Sequence, residues 1–140
     1  GYTALMRAAI KGHIRVAEAL VAAGADKEKA DEEGHTALMT AARWGHIRVA
    51  IALVAAGADT EKADGQRYTA LILAAMKGHI EVVEALVAAG ADTEKADGQG
   101  HTALMRAAME GHIRVAEALV AAGADKEKLD SRSRMALAHV

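Results

Sequence analysis

The stretch Thr36-Ala37-Leu38-Met39-Thr40-Ala41-Ala42-Arg43-Trp44-Gly45-His46-Ile47 decides the architecture, because it recurs. Thr-Ala-Leu opens at Thr3, Thr36, Thr69 and Thr102, and Gly-His-Ile follows at Gly12, Gly45, Gly78 and Gly111, so both marks keep a period of 33 residues. Gly-Ala-Asp returns in the same register at Gly24, Gly57, Gly90 and Gly123. Within one unit, Thr36 suits the cap of a short helix, its hydroxyl accepting from an unpaired N–H, and Gly45 suits the left-handed residue that ends it. After His46, the apolar positions Ile47, Val49, Ala50, Leu53 and Val54 mark one stripe of a second helix, which Gly57 ends. Asp59, Asp64, Gly65 and Gln66 then give the composition of an extended turn leading to Tyr68.

A two-helix unit of this size cannot bury its stripe alone, so its neighbours must stack on it. The pairs Ala8-Ala9, Ala41-Ala42, Ala74-Ala75 and Ala107-Ala108 fit such stacking. Their small side chains allow interhelical distances at the short end of about 8–10 Å, and larger ones would force the stack apart. The expected fold class is all-α, a solenoid of stacked helix-turn-helix units joined by long β-turn loops.

Composition points the same way. Hydrophobic residues make up 52% of the 140-residue chain but aromatics only 2%, with no Phe, so the apolar material suits closely stacked helices rather than one large core. No Cys is present to form disulfides or thiolate metal sites, and 13 Gly without Pro indicate helix ends and turns rather than disordered linkers. A net charge of −2 carries no global instruction to bind nucleic acid or an anionic membrane. Apolar runs such as 17–25, interrupted by Glu18, are too short to span a bilayer, and the N-terminus lacks the regions of a signal peptide. The expectation is a soluble chain, intracellular by default.

The period, together with T-A-L-M-x-A-A-x-x-G-H-I and G-A-D, resembles the ankyrin repeat over nearly the whole chain. The resemblance divides a single domain, 1–140, into repeats 1–30, 31–63, 64–96 and 97–129 and a partial repeat 130–140. Ala stands where the family opens its helix with Pro, Met6, Met39, Ile72 and Met105 stand where it has His, and Glu stands where Asn is usual. Losing Pro at the first helical position forfeits some preorganisation without threatening the fold. The resemblance implies that His13, His46, His79 and His112 are structural, hydrogen-bonding near the start of a first helix. It also implies a concave surface of turn tips and inner helices that grips partners. Near-identical repeats without Pro, Cys, Asn or Phe fit an engineered or consensus-derived array, whereas irregularities at Ile51 and Val83 fit a natural one, and both origins stay open. Ile51, expected on the outer helix, has no functional account.

Catalytic chemistry finds little support. Imidazoles spaced by about one helix-packing distance, near 10 Å, cannot share a zinc ion whose ligands lie within about 2.0–2.3 Å. The run Gly98-Gln99-Gly100-His101-Thr102-Ala103 formally satisfies a dinucleotide pattern, but Thr93-Glu94-Lys95-Ala96-Asp97 before it is no hydrophobic strand. Ser131 and Ser133, the only serines, fall in the partial repeat, and Glu32-Glu33 read as solvated turn charges. No enzyme activity, metal or cofactor is expected. Glu28-Lys29, Glu61-Lys62, Glu94-Lys95 and Glu127-Lys128 read as a mixed-sign ladder serving solubility, each exposed pair contributing about 0–1 kcal/mol.

Positions that vary between repeats are candidates for what the stack recognises. In the turns these are Tyr2, Glu32, Glu33, His35, Gln66, Arg67, Tyr68 and His101; along the first helices, Arg7, Thr40, Leu73 and Arg106; near their ends, Ile10, Lys11, Arg43, Trp44, Met76, Lys77, Met109 and Glu110. All three aromatics of the chain fall in these slots, and Trp, Tyr and Arg are frequent binding anchors. The cations Arg7, Lys11, Arg43, Arg67, Lys77, Arg106, Arg132 and Arg134 outnumber Glu32, Glu33 and Glu110 there. A protein partner with an acidic or mixed polar and apolar patch is therefore favoured. Interleaved apolar groups argue against nucleic acid, and nothing suggests a membrane. The third repeat is irregular, with Arg67 for the turn Gly and Ile72-Leu73, Glu81 and Val83 substituted, which places the expected binding centre near Trp44, Tyr68, Leu73, Met76 and Lys77. The reading is a non-catalytic protein–protein binding module, natural or an engineered binder or scaffold. The alternative is a structural segment of a longer or self-associating array, because the chain starts inside a repeat at Gly1 and stops inside a helix at Val140, with no polar capping repeat evident. A monomer or weak end-to-end association is expected.

Overall fold

A computed structural model of the chain describes residues 1–128. Within them, eight α-helices form four pairs: α1 (Ala4–Lys11) with α2 (Ile14–Ala22), α3 (Ala37–Trp44) with α4 (Ile47–Ala55), α5 (Ala70–Lys77) with α6 (Ile80–Ala88), and α7 (Ala103–Met109) with α8 (Ile113–Ala121). The expected partial repeat 130–140, with Ser131, Arg132, Ser133 and Arg134, lies outside the described residues. Each first helix starts because a threonine caps it. The hydroxyls of Thr3, Thr36, Thr69 and Thr102 accept from the N–H groups of Met6, Met39, Ile72 and Met105 at 3.1–3.3 Å. Gly12, Gly45 and Gly78 close α1, α3 and α5 in the left-handed region.

The first helices pack on one another in the order α1, α3, α5, α7, and the second helices in the order α2, α4, α6, α8, giving two layers. Each first helix also packs on its own second helix. The four alanine pairs are buried throughout, and a single apolar core runs from Leu5 to Ala124. No aromatic residue is fully buried in it, since Tyr68 only packs against its edge.

The Gly-His imidazoles join the layers differently from the expectation. Nε2–H of His46, His79 and His112 donates to the carbonyls of Ile10, Arg43 and Met76 at 2.9–3.0 Å. The acceptor is in each case the penultimate residue of the preceding unit's first helix, so the contact lies at that helix's end and not near a start. Carbonyls there have no intrahelical partner, which is why a neighbouring side chain satisfies them.

The turns are similarly cross-linked. Asp31, Asp64 and Asp97 each accept two N–H groups from the following turn: Glu33 and His35, Gln66 and Tyr68, Gln99 and His101. Between units, the N–H of Gly65 donates to the Glu33 carbonyl and that of Gly98 to the Gln66 carbonyl, both at 3.0 Å. The Glu-Lys ladder also runs between units rather than within each dipeptide. Lys62 lies 3.5 Å from Glu28, Lys95 4.0 Å from Glu61 and Lys128 3.3 Å from Glu94. The same carboxylates accept from the backbone of Asp59, Asp92 and Asp125, so the ladder clips each unit to the next as well as solvating it.

Arg67 departs from the pattern at φ 67°, where its counterparts are Gly34 and Gly100 at 87° and 82°. Left-handed backbone costs a residue with a Cβ about 1–2 kcal/mol. Arg67→Gly is therefore expected to stabilise the chain by about 1 kcal/mol, visible as a higher urea midpoint at unchanged slope. No helix among the described residues is long and apolar enough to cross a membrane.

Candidate functional site

One cleft of about 140 Å³ gathers several of the variable residues. Ile10 comes from α1, Thr40, Arg43 and Trp44 from α3, and Leu73 from α5, while the turns add Tyr2, Asp31 and His35. Tyr2 and Trp44 are 57% and 54% exposed, an unusual state for large apolar rings in a chain with so few of them. The Arg43 guanidinium lies 5.5 Å from the Trp44 ring centroid, a cation–π distance. Thr40 is buried, and its hydroxyl donates to the Thr36 carbonyl at 2.9 Å. Leu73 is buried too, so these two line the cleft without standing out from it.

His35 ties the cleft wall to the next unit. Its Nε2–H donates to Asp64 Oδ2 at 2.9 Å, while Nδ1 faces Asp31 Oδ2 at 3.5 Å and Glu33 Oε2 at 3.9 Å. Burial pushes the Asp31 carboxyl upward, but the N–H groups of His35 and Glu33 and the imidazole of His35 outweigh it and hold the group below its ordinary range.

Arg106 stands in the slot of Arg7, Thr40 and Leu73 but turns inward. It is 8% exposed, with Nε 2.8 Å and Nη2 2.7 Å from Asp97 Oδ2, and Nη2 donates to Gln99 Oε1 at 2.8 Å. Its guanidinium also lies 5.7 Å from the Tyr68 ring centroid. Burial raises the Asp97 carboxyl, yet the His101 N–H, Arg106 and the Gln99 N–H together bring it below its ordinary value. Asp97 and Arg106 are nine residues apart across a turn, a spacing that no helix or strand period brings together, so sequence reading missed the pair. The available signal was that Arg106 alone among the helix slots follows a turn Asp with a cation.

This pairing withdraws one positive charge from the face. With Arg132 and Arg134 outside the described residues, the exposed cations are Arg7, Lys11, Arg43, Arg67 and Lys77, against exposed Glu32, Glu33 and Glu110. Gln66 is exposed, while Tyr68, Met76, His101 and Met109 are half-buried. His101 Nδ1 is buried without a hydrogen-bond partner among the described residues. The structure thus joins Trp44 and Leu73 to Tyr2 and Ile10, and leaves Tyr68, Met76 and Lys77 outside the cleft.

Among the described residues no group of three or more His, Asp or Glu side chains is placed to hold a metal ion. Ahead of the Gly98-Gln99-Gly100 run lies only an isolated bridge between Ala96 and Thr102, and the Gly98 N–H is already taken by Gln66. That geometry is a turn of the stack and not the strand that a dinucleotide site needs.

Two helical layers built from 33-residue units, with turns cross-linked along one edge, define a helical repeat solenoid. The chain belongs to the ankyrin-repeat family: the family model for ankyrin repeats (3 copies) matches residues 1–64 and 58–130. Ankyrin repeats are generally protein–protein interaction modules and typically non-enzymatic. A comparison with curated proteins gives no match.

Proposed function

We propose that the chain is a non-catalytic binding module that takes a protein partner on the face made by its turn tips and first helices. The observation that carries this reading is the pair Tyr2 and Trp44, each more than half exposed, flanking one cleft at positions the stack does not need. Rings of this kind supply large contact area at low conformational cost, and a rigid stack needs little reordering to bind. Arg7, Lys11, Arg43, Arg67 and Lys77 supply a basic surround that favours encounter with an acidic surface. The test is to recover a partner by pull-down and replace Trp44, Tyr68 and Met76 by alanine together. Affinity should fall at least a hundredfold with helicity intact, which is about 2.7 kcal/mol. Unchanged affinity would mean that the partner uses another face.

A further inference from the structure

We infer that the cleft between α1, α3 and α5 is an anchor pocket for one leucine-, methionine- or phenylalanine-sized side chain of an acidic polypeptide segment. The inference rests on the binding reading above and assigns a chemistry to its partner. The cleft exists because of a substitution within the repeat. The helix slot that holds Arg7 in α1 and Arg106 in α7 holds Thr40 in α3, and a short side chain there leaves room that a long one would fill. The hydroxyl of Thr40 is bound to the Thr36 carbonyl, so it has no need of a polar ligand. Leu73 and Ile10 add further carbon surface, and Tyr2 and Trp44 stand beside it.

Size and charge then select the occupant. An apolar cavity of roughly 150 Å³ accepts a benzene ring, so a cleft of about 140 Å³ has room for one side chain of that size. On the cleft's carboxyl side, Arg43 lies over Trp44, and the slot of Trp44 is occupied by Lys11 in α1 and Lys77 in α5. These exposed cations lie in the last turns of their helices, where they offset the negative dipole ends and remain available to carboxylates. The polar groups on the turn side, Asp31 and His35, are already bonded to each other's backbone or to Asp64. Arg43 is the cation that lines the cleft, with Lys11 and Lys77 exposed in the equivalent of the Trp44 slot on the neighbouring first helices, and a segment carrying Asp or Glu beside its apolar anchor matches them.

Trp44 is the only tryptophan, so its fluorescence reports on this cleft alone. The test titrates the full chain with three seven-residue peptides up to millimolar concentration: leucine between two triplets of glutamate, alanine between the same triplets, and leucine between triplets of lysine. The leucine–glutamate peptide should shift Trp44 emission saturably, bind at least tenfold more tightly than either companion, and weaken as salt rises. Thr40→Arg should abolish this binding while circular dichroism stays unchanged, because two other units already carry arginine in that slot. Equal binding of the lysine peptide, binding undiminished in Thr40→Arg, or no binding of any peptide overturns the inference. The broader reading is judged separately, by the triple alanine variant against the recovered partner, and survives if that variant alone loses affinity.

Discussion

Arg106→Ala should destabilise the chain by about 3 kcal/mol, the low end of the roughly 3–5 kcal/mol that follows when one member of a buried ion pair is removed. The reason is what remains. Asp97 is 2% exposed, and without Arg106 its carboxylate keeps only the turn N–H groups of Gln99 and His101. The Tyr68 ring also loses the guanidinium beside it. The pH dependence carries a defined sign. Because the folded-state carboxyl lies below its ordinary 3.8, its contribution is fully present above that value and is lost as pH falls through the lowered folded value. The difference between wild type and Arg106→Ala should thus be full at pH 7 and vanish only as pH falls through the lowered folded value, where wild type too protonates Asp97. Urea unfolding at a series of pH values checks this, and a pH-independent difference would show that lost packing, not the stranded charge, dominates.

Gly45→Ala is the second large effect, expected at about 2–4 kcal/mol. Two causes add. Gly45 holds φ 75°, a conformation that costs alanine about 1–2 kcal/mol. A Cβ there would also lie 2.5 Å from Nδ1 of His79 and 2.9 Å from its Cγ, the base of the ring rather than a flexible tip. The ring must move, and its hydrogen bond to the Arg43 carbonyl is lost with it. Gly111→Ala provides the contrast, since its φ is 77° but nothing among the described residues lies within 4 Å of the position. Gly45→Ala should therefore cost about 1–2 kcal/mol more than Gly111→Ala in thermal or urea unfolding, that excess being the price of displacing His79. Equal costs would mean that the imidazole contact contributes nothing beyond the backbone conformation.

The fold was legible in the sequence because every unit states it again. Threonine caps, left-handed glycines and alanine contacts are local features whose physics needs no knowledge of the neighbours. The expected helix ends at Gly45 and Gly57 coincide with those observed. What the repeat could not disclose was direction across units. The imidazoles reach back to the preceding unit, Glu28 pairs with Lys62 rather than with Lys29, and Arg106 folds inward onto Asp97. Each depends on which side chain a stacked neighbour presents, which periodicity does not encode. The candidate face was legible only as a set of slots. Variation marked Tyr2, Ile10, Trp44 and Leu73 as members, but their meeting in one cleft follows from the short side chain of Thr40 between longer ones in adjacent units.

The absence of cysteine makes the central claim directly measurable. Single cysteines introduced by Lys11→Cys and Lys77→Cys report on the first-helix face, and those introduced by Ile51→Cys and Glu84→Cys report on exposed positions of α4 and α6. The rate of thiol labelling is then compared with and without the recovered partner. A module that binds through its turn tips and first helices predicts slowed labelling at 11 and 77 and unchanged labelling at 51 and 84; protection at 51 and 84 with none at 11 and 77 would contradict it.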